Sequence, residues 1–211
     1  KLSVTSGLIL DLTYNTDFAQ VEADEQQISL DRFSLFFPEK RGFFLENAGL
    51  FSVGENTYSG PDIEMFFSRR IGVGPNGEPL PILGGGRLTG TAGGLRIGVL
   101  NMQTQAVNNI TDGDNFSVLR LKKELPNRTS YGFMMTNRTG LGTIKNSNSS
   151  YAIDASLGIG DNIQLIGFAA KTGTDQNTQN GDVGTYSYLI EANRNTKRLT
   201  TQLRFTEVGE N

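Results

Sequence analysis

The feature that most constrains this chain is a two-residue polarity repeat in its second half. Leu199, Thr201, Leu203 and Phe205 alternate with Arg198, Thr200, Gln202 and Arg204. Tyr186, Tyr188, Ile190 and Ala192 oppose Ser187, Glu191 and Asn193. Tyr151, Ile153, Ala155 and Leu157 oppose Asp154 and Ser156, and Tyr131, Phe133 and Met135 oppose Ser130, Gly132 and Thr136. Successive side chains of a strand point to opposite faces, so each run is a strand with one apolar side. The pattern predicts strands over 82–91, 94–104, 115–124, 129–138, 150–158, 162–172, 184–194 and 197–206. In strand 162–172, Ile166 and Phe168 break the alternation.

The links carry as much information as the strands. Tight connections at 91–94, 126–128, 158–161 and 195–196 alternate with longer ones at 105–114, 139–149 and 173–183. Outer-membrane barrels have short turns at one end and longer loops at the other. Greek-key sandwiches seldom keep that order. The predicted strands also have about the nine to eleven residues that a tilted membrane crossing needs. The expected fold is therefore all-β, an antiparallel up-and-down barrel of the outer-membrane type. Arg96, Arg120, Lys122, Asp154, Glu191, Arg198 and Arg204 gather on the polar side. A Lys or Arg facing lipid at mid-depth costs about 2–4 kcal/mol, so these side chains are expected to point inward. Tyr14, Phe116, Tyr131, Tyr151, Tyr186 and Phe205 lie near strand ends, where interfacial aromatic girdles belong.

The first third reads differently. Residues 2–14 alternate as one strand, and 63–70 suggest another, followed by a turn at Gly74–Pro79. Between them, residues 15–61 form a long excursion. Connections of that length inside a domain are usually functional. Leu30, Phe33 and Phe37 have helical spacing behind Ser29, and Pro38 suits the opening of a second helical turn. Phe36, Phe37, Phe43 and Phe44 flank a charged turn of Glu39, Lys40 and Arg41. Paired Phe residues present apolar surface to both sides of an extended chain, so the segment needs cover on both. It is expected to fold into or across the lumen as a plug. The glycines Gly84–Gly86 are expected to make room for it.

Composition sets exclusions. The net charge of −3 leaves no basic footprint for nucleic acid. The chain has no His, Cys or Trp. That rules out His-dependent triads, disulfides, and zinc sites built on His or Cys. Hydrophobic residues make up 36%, with no apolar run long enough for a membrane helix. No cofactor and no metal is expected. Thr111–Asn115 lacks the ligand set of a calcium loop and reads as a solvated loop. The absence of a starting Met fits a processed or cut chain, and the single domain 1–211 is expected to be part of a larger barrel.

Several stretches carry a family resemblance. They are Leu12–Asp24, Phe36–Phe51, Phe66–Gly72, Pro81–Gly90 and Glu207–Asn211. Together they resemble an uncharacterised outer-membrane barrel domain of Gram-negative bacteria, a domain of unknown function. In that family the barrel typically follows a domain similar to family 9 carbohydrate-binding modules. The resemblance implies a bacterial outer-membrane location and lipid as partner. It also implies a glycan or an envelope protein as partner, since relatives are described as carbohydrate-binding proteins or membrane-associated hydrolases.

Three functions follow as expectations. The first is a plugged outer-membrane barrel for transport, anchoring or display, without catalysis. Its plug or ligand residues would be Phe36, Phe37, Glu39, Lys40, Arg41, Phe43, Phe44, Glu46, Arg69 and Arg70. The second is a glycan hydrolase or carbohydrate-binding protein using loop carboxylates, with Glu39 or Glu46 acting beside Asp62 or Glu64. Glycosidases need one carboxyl held protonated and one ionised. The simpler role for these acids is to pair with Lys40, Arg41, Arg69 and Arg70 and so pin the excursion. The third is a soluble β-sandwich or lectin-like module. An anionic ligand on Arg69 and Arg70 is a further expectation.

Overall fold

The computed structural model describes residues 1–16, 39–54, 64–74, 78–142, 146–176 and 183–209. Ten strands form one antiparallel sheet in strict chain order. They are β1 (Leu2–Thr5), β2 (Leu8–Thr16), β3 (Ile82–Ala92), β4 (Leu95–Thr104) and β5 (Asp114–Leu125). They continue with β6 (Thr129–Gly140), β7 (Asn146–Ile159), β8 (Ile163–Gln176), β9 (Val183–Asn195) and β10 (Thr200–Val208). The only helical pieces among the described residues are one turn of α-helix, α1 (Gly42–Leu45), and two 3-10 turns at Ala48–Phe51 and Ser68–Arg70. None is long and apolar enough to cross a membrane.

The alternation of short and long links is present. At one end the strands turn at 6–7, 93–94, 126–128, 160–162 and 196–199. The β3–β4 turn is made by Gly93 and Gly94, with φ of +58° and +70°. Two consecutive positive φ values match the twist of the flanking strands, which explains the glycine pair. The opposite end carries the link from β2 to β3 and the links 105–113, 141–145 and 177–182.

Three expectations change. Residues 2–14 are two strands, because Ser6 and Gly7 turn the chain between them. Leu2 pairs with Leu10, and a register shift between Ser3 and Thr5 brings Thr5 opposite Leu8. Residues 64–70 are not a strand; they end in the 3-10 turn and lie on the sheet rather than in it. The sheet is also open. β1 pairs only with β2 and β10 only with β9, so no closed lumen exists for a plug to fill.

The two faces differ in kind. On one, the segments 39–53 and 65–71 pack against the strands. Phe44, Leu50, Phe51 and Ile71 form a core with Ile82, Leu100, Met102, Val118, Met134, Ala152 and Ala170. We call this the covered face. It explains the break in β8, where Ile166 is buried and Phe168 packs against the core. The other face is open, and large apolar side chains stand out from it. Leu12, Ile153, Ile190 and Leu203 are each more than 60% exposed, at 65%, 62%, 63% and 68%. Tyr14, Tyr131, Tyr151, Tyr186 and Phe205 are exposed as well. Phe116 departs from the expected girdle and joins the covered face.

Candidate functional site

The functional candidates cluster where the Phe-rich segment meets the covered face. Strand register brings Arg87 of β3 opposite Asp11 of β2. Arg87 Nη2 donates to Asp11 Oδ2 at 2.7 Å and to Glu46 Oε2 at 3.1 Å. Arg87 Nη1 donates to the Phe43 carbonyl at 2.5 Å and to the Glu46 carbonyl. The same guanidinium lies 5.0 Å from the centre of the Phe43 ring. One buried arginine thus fastens the end of α1 to the sheet. Lys1 Nζ reaches Glu46 from the solvent side. Hydrogen bonds from Lys1 and Arg87 hold the Glu46 carboxyl below its ordinary value.

Arg41 fastens the other end of α1. It pairs with Glu39 through Nε at 2.8 Å and Nη2 at 2.7 Å. It also donates to the carbonyls of Ile71 and Ser68, each at 2.7 Å. Its guanidinium stacks 4.2 Å above the Phe44 ring, and Phe44 meets Phe43 edge to face at 5.2 Å. The planar five-donor fork of arginine suits this multiple bonding, which a lysine cannot reproduce. Burial raises the Glu39 pKa, but hydrogen bonds from Arg41 and Ser68 outweigh it and hold the carboxyl low.

Room for the segment comes from Gly98 rather than from Gly84–Gly86. A Cβ on Gly98 would lie 3.0 Å from Phe51 Cε1 and 3.1 Å from Leu50 Cδ2. Gly85 instead lies beneath Met102, and Gly84 and Gly86 lie beneath Tyr14 and Leu12 on the open face. Further along the covered face Arg120 makes a two-pronged pair with Asp154 at 2.5 and 2.9 Å. Gly132 leaves space for it: a Cβ there would sit 2.7 Å from Asp154 Oδ1. Glu191 lies 3.8 Å from Arg204, and Arg96 pairs with Glu124 at 2.8 Å. Of the charges predicted to share a side, Arg120 with Asp154 and Arg204 with Glu191 meet as pairs and Arg96 and Lys122 both face Glu124, whereas Arg198 lies exposed in the turn between β9 and β10.

The candidate carboxylates are partly brought together. Glu39 and Glu64 line one cavity of about 310 Å³, with Phe44, Phe51, Phe66 and Arg87. Partial burial raises the Glu64 pKa. Glu46 lies outside that lining and is engaged by Lys1 and Arg87. Lys40 and Arg70 are exposed, and Arg69 is half-buried. Phe36, Phe37 and Asp62, with the helix expected behind Ser29, lie outside the described residues. The sequence reading did not single out Asp11 or Arg87. The signal available was a lone Asp in an apolar strand and an Arg after three glycines.

Residues 1–84 match a family model. Its description is "Domain of unknown function (DUF5916)". The match spans β1, β2, the Phe-rich segment and the start of β3, and so includes Asp11, Glu39, Arg41 and Glu46. No curated protein and no solved structure matches the chain.

Proposed function

We propose that this chain forms part of the wall of an outer-membrane β-barrel. The Phe-rich segment is held on its inner side, and the role is transport, anchoring or display rather than catalysis. The observation that carries this reading is the contrast between the two faces. Most charged side chains on the covered face are paired with an opposite charge, Arg138 being the exception, while leucines, isoleucines and tyrosines cover the open one. Water-facing sheets alternate the other way, with polar side chains outward. An apolar surface this extensive marks an interaction site, and hydrocarbon is the partner that a strand-long band fits. Lys171 lies between Tyr151 and Tyr186 in register, with its amine 5.2 Å from the Tyr186 ring centre. Ser149 and Gly173 follow toward the long-loop end. Tyrosine and lysine at the edge of an apolar band suit a headgroup boundary. The free edges of β1 and β10 are where closure would continue, since a barrel leaves no unpaired edge in lipid.

The test is direct. The protein should need detergent for extraction, and its gel migration should shift on heating. Removing residues 39–53 should raise conductance in planar bilayers if the segment obstructs a pore. A monodisperse, detergent-free monomer ends the barrel reading, and unchanged conductance ends the obstruction.

One observation favours a second reading, hydrolysis of a glycan. Glu39 and Glu64 line the same cavity with pKa values displaced in opposite directions, the division of labour a general acid and its partner require. Glu64 would donate the proton and Glu39 would stay ionised. Glu64→Gln should then abolish release of reducing ends from envelope glycan. No activity in the unaltered protein, or activity untouched by the substitution, removes this reading.

A further inference from the structure

The covered face holds a second and larger cavity, of about 720 Å³, at the long-loop end of the sheet. Its floor is a row set by strand register: Phe116, Arg138, Asn148 and Thr174 lie side by side across β5 to β8. Its roof is the stretch from Met65 to Gly74, which brings Phe66, Phe67 and Arg70 over the row.

Arg138 is the anomaly in this row. Other arginines of the covered face each have a carboxylate: Arg87 has Asp11, Arg96 has Glu124, Arg120 has Asp154 and Arg204 has Glu191. Arg138 has no ion pair and no side-chain hydrogen bond among the described residues, and its Nε is shut off from solvent without a partner. Asp114 is its diagonal neighbour in register, and Asp112 lines the same cavity, yet neither comes within ion-pairing distance. Arg70, on the roof of the cavity, has no ion pair among the described residues either. Arg138 is half-buried, and a guanidinium that lines a cavity without a counter-charge leaves a positive charge there for an anion to match.

We propose that this cavity binds an organic anion, a carboxylate- or phosphate-bearing molecule with an apolar body. The head group pairs with Arg138, assisted by Arg70. Guanidinium forks match both head groups in two-pronged geometry. Phe116 beside Arg138, with Phe66 and Phe67 above, provides the apolar wall. Asn148 is already oriented by its 2.8 Å bond to Thr174 and completes the polar side. The inference does not depend on where the protein resides or whether the sheet closes.

Calorimetric titration with benzyl phosphate tests it, with benzyl alcohol as the uncharged control. Benzyl phosphate should bind and benzyl alcohol should not. Arg138→Ala should weaken binding about 10- to 100-fold, the usual consequence of losing a charge-assisted contact. Arg138→Lys should restore part of it. Arg70→Gln sits at an exposed position, spares the fold, and should weaken binding by a smaller factor. Affinity that climbs from ethyl to octyl phosphate identifies a lipid-like ligand, whereas flat affinity identifies a water-soluble one. Equal affinity for the alcohol, no binding of benzyl phosphate, or full affinity in both Arg138→Ala and Arg70→Gln overturns the proposal.

Discussion

Glu39 shows how one carboxylate can set the attachment of a whole segment. It is the counter-charge for Arg41, and Arg41 holds the carbonyls of Ser68 and Ile71. Losing Glu39 leaves a buried guanidinium uncompensated, which costs about 3–5 kcal/mol for a fully buried pair. The pH dependence follows from the direction of its pKa. Glu39 sits below its ordinary value of 4.5 in the folded protein. The folded state therefore binds that proton less readily than the unfolded state. Its stabilising contribution is complete above the ordinary carboxylate range and is lost as pH falls through the depressed value. Protection factors at Phe44 and Leu45, taken against the intrinsic exchange rate at each pH, should thus fall in acid while those of the strands hold. Glu39→Gln should show low protection at these two amides already at neutral pH, with no further fall below it. A wild-type profile in that variant would show that Glu39 does not hold the segment.

At the level of elements, the sheet and the segment were legible to different degrees. Strands β3 to β9 follow from period-two alternation because each has one side with buried residues and one side away from them, and β10 keeps the alternation without a buried residue. Their ends move outward by a few residues where Asn, Ser and Thr continue the ladder without an apolar signal, as in Asn146–Ser149 of β7. The break at Ile166 and Phe168 looked like noise in one dimension, yet it marks where the segment lies over the sheet. The partnership of Asp11 with Arg87 was not readable, because it depends on the register of strands separated by the long excursion. Nor was the contact glycine. Three consecutive glycines drew the eye, but Gly98 alone sits beneath Leu50 and Phe51. Gly98→Val should therefore lift the Ala48–Phe51 turn from β4, at the cost of about 1–3 kcal/mol typical of overpacking. Limited proteolysis should cut within residues 46–53 of this variant, whereas Gly85→Ala should disturb Met102 instead. Resistance equal to wild type in Gly98→Val would mean that the turn does not rest on the sheet as described.

For the whole molecule, the decisive question is what covers the open face. Burying one exposed leucine or isoleucine is worth about 1.5–3 kcal/mol, so a face this apolar is a large reservoir of association energy. Hydrocarbon and a protein partner both satisfy it, but they differ in how a misplaced charge is penalised. In lipid the cost depends on depth alone, about 2–4 kcal/mol for arginine at the midplane and about 0–1 near the interfaces. Against a protein the cost would follow local packing, with no gradient along the strand. On an ordinary solvated surface it would stay within about 0.5 kcal/mol. Ile153 and Ile190 lie in the middle of the open-face rows, while Leu125 stands at the short-turn end of β5. Arginine at 153 or 190 should lower unfolding free energy in vesicles by the midplane amount, and arginine at 125 should be nearly silent. A graded loss along each strand would assign the face to lipid. Uniform tolerance would assign it to water and remove the membrane from the account, while leaving the ion-paired covered face and its two cavities as they stand.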